Sequence, residues 1–278
     1  MDPYPSSHFA LVPPPEGVVY RVGRRNTDLW MGRDWSKSSS TAHVPGTFGN
    51  RFDDPGAIFD PPIPLDRRFQ VVYAATTIAG AIGETIAGLR PSLEALARAA
   101  EELGQNDPDA VEAFQQLAVT PWTLDMQWRK SRQISMAQLP PEALFVDLMA
   151  PKTLQYLRTV PWLVYMARER QFGDIDRAFL MTSDREITCR ISRLVYARTA
   201  KYADLHVSGI RYESRHGPGW DCWAIYQDRI RPTQVGSLEV DPANPGLLEA
   251  AAALGANIEV DTGEIIDPQT LLDAGHTR

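Results

Sequence analysis

The chain has 278 residues, 44% hydrophobic and 23% charged, which is ample for a buried core and argues against a disordered, collagenous or coiled-coil chain. Its 28 Lys and Arg against 35 Asp and Glu leave a net charge of −7, a poor basis for direct nucleic-acid binding, because phosphate contacts need a basic face. No apolar run approaches the roughly 18–20 residues of a membrane span. The first seventeen residues lack a signal-peptide pattern, and two cysteines, Cys189 and Cys222, fit a reducing compartment, so the expectation is a cytoplasmic protein with no membrane partner.

In chain order, residues 1–16 hold five prolines and read as an extended arm. Val18–Val22 is β-rich and predicts the first strand. A polar, aromatic stretch follows to Phe48, with Trp30, Trp35 and an SKSSST run, and reads as a long loop with short turns. Residues 49–69 are rich in Gly, Pro and Asp and read as a strand end and surface loop. Phe69–Ala75 predicts the clearest strand. Thr76 offers an N-cap, and Thr77–Leu89 predicts a helix. Pro91–Leu103 and Pro108–Leu117 continue with helical periodicity. Arg129–Leu139 and Leu144–Met149 are strand candidates. Pro151–Arg168 and Ile187–Tyr202 predict amphipathic helices. Val207–Tyr212 and Cys222–Tyr226 are β-rich, and an Ala-rich helix is expected around Leu247–Leu254. Strands near both ends with helices between, and no strict βαβ alternation, predict an α+β fold.

One residue stands out on physical grounds. Glu84 is the only charged residue in Ala74–Leu89. On a helical wheel, Ile78, Ile82, Ile86 and Leu89 form one stripe, and Glu84 lies about 140° from its centre. The face around it is completed by Thr77, Gly80, Gly83, Ala87 and Gly88. Small residues allow a backbone or ligand to approach closely, and each helical glycine costs about 1 kcal/mol relative to alanine. Glu84 is therefore either a solvated group on a bland helix or a carboxylate at the wall of a site. Tyr73, eleven positions earlier on the preceding strand, reads by itself as a core aromatic. Arg51, beside the turn residues Gly49 and Asn50, reads as a solvated group or an anion clamp.

Taken in order, Val19-Tyr20-Arg21-Val22, GNRFDDPG (49–56), VVYAATTIAGAIGE (71–84), SGIRYESR (208–215) and CWAIY (222–226) resemble the RES domain family, which includes the toxins of Xre–RES toxin–antitoxin pairs. The resemblance covers roughly residues 17–85 and 185–228. It implies an ADP-ribosyltransferase-like split β-sheet core with flanking helices, and NAD+ as the substrate, degraded by hydrolysis or phosphorolysis. Transfer of ADP-ribose to a protein, or a catalytically silent binding module, are the other implied functions. By correspondence, Arg51, Tyr73, Glu84 and Ser214 are the expected catalytic residues, and Arg21, Arg51 and Tyr73 the expected NAD+-binding residues. No metal is implied. An Xre-type antitoxin is the implied protein partner, and a homodimer is admitted.

The family's Gly-Gly-Arg-Trp motif stands here as Gly49-Asn50-Arg51-Phe52, and Asn50 can still adopt positive φ. The organisation expected is an arm over 1–16, a RES-like domain over 17–230 with a helical insertion at about 90–140, and an extension over 231–278 packed on the same domain. His206 and His216 flank the SGIRYESR segment and read as surface or core histidines, with a catalytic acid or base as the alternative for one of them. Cys222 reads as a buried small hydrophobe, and Cys189 and His206 lack metal-ligand spacing. No Rossmann glycine pattern, P-loop or nucleophile elbow is present.

Overall fold

The computed structural model describes residues 8–90, 122–200 and 207–275, with residues 101 and 112. Eleven strands fall within them: β1 (Leu11–Val12), β2 (Val19–Arg24), β3 (Val71–Ala75), β4 (Trp122–Leu124), β5 (Arg132–Gln138), β6 (Leu144–Asp147), β7 (Val207–Glu213), β8 (Asp221–Tyr226), β9 (Thr233–Glu239), β10 (Ala256–Glu259) and β11 (Ile265–Ile266). Eight of them form one sheet in the order β1-β6-β7-β8-β3-β2-β5-β9, and β11-β10-β4 form a second, smaller sheet. In the large sheet only the β6–β7 pair is parallel. The described helices are α1 (Ile78–Ile86), α2 (Met126–Lys130), α3 (Pro151–Leu157), α4 (Pro161–Glu169), α5 (Arg177–Leu180), α6 (Arg185–Thr199), α7 (Pro245–Leu254) and α8 (Pro268–Gly275). This is an α+β fold, and none of these helices is long and apolar enough to cross a membrane.

The large sheet is split. β3 pairs with β8 from Val71↔Tyr226 to Ala75↔Cys222, and β2 pairs with β5 from Val19↔Ala137 to Arg24↔Arg132. Between β2 and β3 one residue pair remains, Tyr20↔Ala75. Beyond it the two halves diverge and a cleft opens. β3 alternates as a two-sided strand must. Val72 and Ala74 pack with Trp30, Trp223 and Ile225 on one face, while Val71 and Tyr73 turn to the larger core on the other.

The helix after β3 differs at both ends from the one the sequence predicts. Thr77 rather than Thr76 is the N-cap, its Oγ1 accepting from the Gly80 amide at 3.0 Å, and Thr76 accepts from the Trp223 indole. The α-helix ends at Ile86, and Leu89 is exposed rather than part of the apolar stripe. The small-residue face has a different tenant from the one its composition suggests. A Cβ on Gly83 would lie 2.1 Å from the Trp220 ring, so the glycine seats a tryptophan and not a ligand. Ile82 and Ile86, on the opposite face, are fully buried, and α7 packs close enough that a Cβ on Gly246 would meet Ile78 at 2.7 Å.

Other differences follow from non-local pairing. The N-terminal arm contributes a strand, β1, paired with β6, and Phe9 is fully buried. Pro161 sits at the start of α4 and divides the expected 151–168 helix into α3 and α4. Apart from residues 101 and 112, the helical segments expected at Pro91–Leu103 and Pro108–Leu117 lie outside the described residues. From Trp122 onward the chain is β4, α2 and β5, so the expected helical insertion does not extend to 140, and β5 lies inside the main sheet. Past residue 230, β9 is the edge strand of that same sheet.

Candidate functional site

A cavity of about 330 Å³ opens where β2 leaves β3. Residues from β2, β3, α1, the start of α6 and the end of β7 line it, together with the 49–51 loop.

The loop is held from two sides. Asp53, buried, accepts the Phe48 and Asn50 amides on Oδ2 at 2.9 and 3.0 Å, and the Asn50 side chain and Tyr73 hydroxyl on Oδ1, both at 3.2 Å. Burial nevertheless pushes its carboxyl above the usual range. The Tyr73 hydroxyl also accepts the Phe52 amide at 2.9 Å, and burial drives its own ionisation far up. From the other side, α6 presents Ser192, whose hydroxyl donates to the Phe52 carbonyl at 2.9 Å, and one turn of α6 also brings Cys189 and Arg193 against the loop. Gly49 has φ +78°, the left-handed turn that lets the loop enter this position.

What the loop presents is Arg51. Its guanidinium is buried beneath Tyr212 and Phe52, with centroid distances of 5.4 and 5.5 Å. One nitrogen donates to the Leu180 carbonyl, and Nε is buried with no partner. Burial lowers its proton affinity, opposed by Tyr212 and Glu84. Arg21, on β2, also has a buried nitrogen without a partner, Nη1. Burial first and the charge of Arg33 second pull its pKa down to about 10. A buried donor with no acceptor costs free energy that a ligand oxygen recovers.

Glu84 enters from α1, half-buried. Its Oε1 accepts from the Ser214 hydroxyl at 2.5 Å, and Ser214 Oγ accepts the His216 amide at 3.0 Å. Because the amide can only donate, the serine proton points to the carboxylate, which fixes the Glu84 rotamer. Ser214 is buried and reaches the cavity through Glu84.

Arg21, Arg51, Tyr73 and Glu84 thus line one cavity, with Ser214 directly behind Glu84. His206 lies outside the described residues. Cys189 and Cys222 are buried free thiols whose ionisation is pushed up by burial. Among the described residues no three His, Cys, Asp or Glu side chains form a metal-binding cluster.

Arg33, Arg185, Arg215 and His216 complete the cavity, and sequence reasoning does not place them there. His216, for which the sequence leaves a surface or core place and a catalytic acid or base as alternatives, is half-buried at the cavity wall. Burial lowers its pKa, with Arg215, Arg51 and Arg185 adding to the effect against Glu84. Asp53 is a further residue that sequence reasoning misses, although its place two residues after Arg51 in a turn-rich segment is a usable signal. Eight arginines elsewhere form ion pairs: Arg25, Arg129, Arg158, Arg170, Arg177, Arg190, Arg193 and Arg211. Among the described residues none of the five in the cavity does so, and Glu84 is the only carboxylate lining it.

The split α+β sheet with its flanking helices is consistent with the ADP-ribosyltransferase-like core that the RES resemblance implies. The family model described as the RES domain matches residues 18–241, most of the chain, and the chain belongs to the RES domain family. Compared with curated proteins and with solved structures, it finds no match.

Proposed function

We propose that this RES protein consumes NAD+, cleaving the bond between nicotinamide and ribose and transferring ADP-ribose to water or phosphate. The observation that carries the reading is the pairing of Glu84, aimed by Ser214, with arginines that no carboxylate of the described residues neutralises, in a cavity at the split of the sheet. Bond cleavage leaves the electron pair on nicotinamide and builds positive charge on the ribose, as in glycoside cleavage. A carboxylate about 5 Å away at an effective dielectric near 20 stabilises that charge by about 3 kcal/mol, or around a hundredfold in rate. Glu84 supplies this charge and bonds the ribose hydroxyls. Arg51 and Arg21 hold the diphosphate through nitrogens that lack other partners, fixing the reacting geometry. The Tyr73 ring stacks on nicotinamide, with its hydroxyl tied back to Asp53. An oxygen of the acceptor then bonds the ribose carbon and sheds its proton to solvent.

Depletion of NAD+ in the cytoplasm would make the protein the growth-inhibiting member of a toxin–antitoxin pair, with an Xre-type protein as its antitoxin. A second reading, ADP-ribosylation of a macromolecule, draws support from the exposure of Arg33 and Arg215 at the cavity mouth. The test is chromatography of NAD+ incubated with wild type and with Glu84→Ala. Nicotinamide release by wild type alone supports cleavage. A folded wild type that releases none contradicts it and moves the weight to protein modification or a silent binding module. In cells, wild type is expected to slow growth and Glu84→Ala to permit it.

A further inference from the structure

Past residue 241, where the family match ends, the chain continues into α7, and α7 is joined to the Glu84–Ser214 pair through one side chain. That side chain is Trp220, buried in the turn between β7 and β8.

Trp220 packs on both elements that carry the pair. On α1 its ring lies over Gly83, the residue before Glu84, where a Cβ would stand 2.1 Å from it. In the turn after Ser214 the same ring lies over Gly217, where a Cβ would stand 2.5 Å from it. Two glycines, one on each element, thus make room for one indole. The Trp220 carbonyl also accepts the Ser214 amide at 2.8 Å. The residue therefore acts as a spacer. It sets how far the Ser214 turn stands from α1, and with that the 2.5 Å bond from the Ser214 hydroxyl to Glu84 Oε1.

The orientation of the ring is fixed from beyond the matched region. Trp220 Nε1 donates to Oε1 of Glu249, on α7, at 3.1 Å. α7 is itself seated on α1, with Leu247, Ala250 and Ala251 buried and Gly246 close against Ile78. Filling space would need only an aromatic ring. A buried indole brings an N–H as well, and that N–H must find an acceptor.

We propose that Trp220 is a positioning residue for Glu84 and Ser214, kept in orientation by Glu249, so that the segment past the family domain helps to aim the reacting carboxylate. The kinetic consequence rests on the NAD+ reading above; the geometric one does not.

The test is steady-state nicotinamide release by the full-length protein, with hydrogen exchange measured on the same samples. Trp220→Phe keeps a ring and removes the donor. Glu249→Leu removes the acceptor, and Glu249→Gln keeps one. Trp220→Phe and Glu249→Leu should each lower kcat about fivefold to tenfold, the scale of one misplaced hydrogen bond. KM for NAD+ should stay within about twofold, because the arginines that hold the diphosphate are untouched. The Trp220→Phe/Glu249→Leu double variant should be no slower than the slower single variant, since both break the same contact. Glu249→Gln should retain the wild-type kcat. Exchange of the amides over residues 211–221 should be faster in Trp220→Phe and Glu249→Leu and unchanged in Glu249→Gln. Thermal unfolding checks that each variant is folded. A wild-type kcat in both Trp220→Phe and Glu249→Leu, a loss that appears in KM rather than kcat, or an equal loss in Glu249→Gln overturns the proposal. A wild type that releases no nicotinamide would sink the NAD+ reading instead. The exchange result then decides the positioning: faster exchange over 211–221 upholds it, and wild-type exchange in both variants overturns it.

Discussion

Arginines inside and outside the cavity behave differently. Outside, Arg211 bonds Asp147 and Asp221, Arg158 chelates Asp174, and Arg193 reaches the buried Asp54. Inside, Arg51 and Arg21 keep buried nitrogens without acceptors, and Arg185 and Arg215 have no carboxylate partner among the described residues. The outer pairs serve the fold or are screened by water, and exposed ones are worth little. The inner cations are held in place by packing and by loop anchors, at a cost in stability. A fold that retains such a cost at one place has concentrated its strain there, and the physical use for it is an anionic ligand.

Substitutions on either side of this contrast should separate the two roles. The largest effect is expected at Glu84: Glu84→Gln should lower nicotinamide release by about a hundredfold or more. Its melting temperature should stay near wild type, because the half-buried carboxylate has one hydroxyl partner to lose. A parallel fall in melting temperature would make Glu84 a structural residue.

Next comes Asp53, which belongs to the fold side of the contrast although it touches the site. Asp53→Ala strands the Phe48 and Asn50 amides and frees Tyr73. A loss of about 3 kcal/mol is expected in urea unfolding, with activity falling as Arg51 loses its position. Full stability with full activity would show that α6 alone holds the loop.

Gly83 and Gly88 probe the small-residue face. Gly83→Ala places a methyl group into the Trp220 ring and should cost about 1–3 kcal/mol. Gly88→Ala meets nothing within 4 Å and should be neutral or stabilising by up to about 1 kcal/mol. Equal effects in thermal unfolding would contradict the packing of Trp220 on Gly83.

The smallest effect is a pH dependence. The folded pKa of His216 lies below its ordinary 6.5, so the unfolded chain binds the extra proton first. Stability should therefore fall as pH drops from about 6.5 towards the lower folded value. His216→Gln should remove that part of the fall, read as the difference between wild-type and variant unfolding curves from about pH 8 to 5. Identical pH profiles would mean that the imidazole stays solvated.

Local features are legible in the sequence. The run from β3 through an N-cap threonine into α1 is set by neighbours in the chain, so the residue pattern alone puts Tyr73 on a strand and Glu84 on a helix. Family resemblance supplies Arg21, Arg51 and Ser214, and the fold brings them together. Non-local features are not legible. Trp220 reaches Gly83 from the turn before β8, which no periodicity in α1 reveals. Arg185 and Arg215 look like surface arginines in sequence, because their lack of carboxylate partners appears only when α6 and β7 converge on the cleft. The break at Pro161 is visible in principle, since a proline disfavours helix at the preceding residue, Val160.

The NAD+ reading stands on unpaired cavity arginines holding the dinucleotide's diphosphate. Calorimetric titration of NAD+ into the Glu84→Gln protein, in which turnover is suppressed, tests this with and without Arg51→Gln. One saturable site is expected, weakened at least tenfold by Arg51→Gln and further weakened by added salt, because charge-assisted contacts to phosphate are screened. No binding, or binding that Arg51→Gln leaves unchanged, would contradict it.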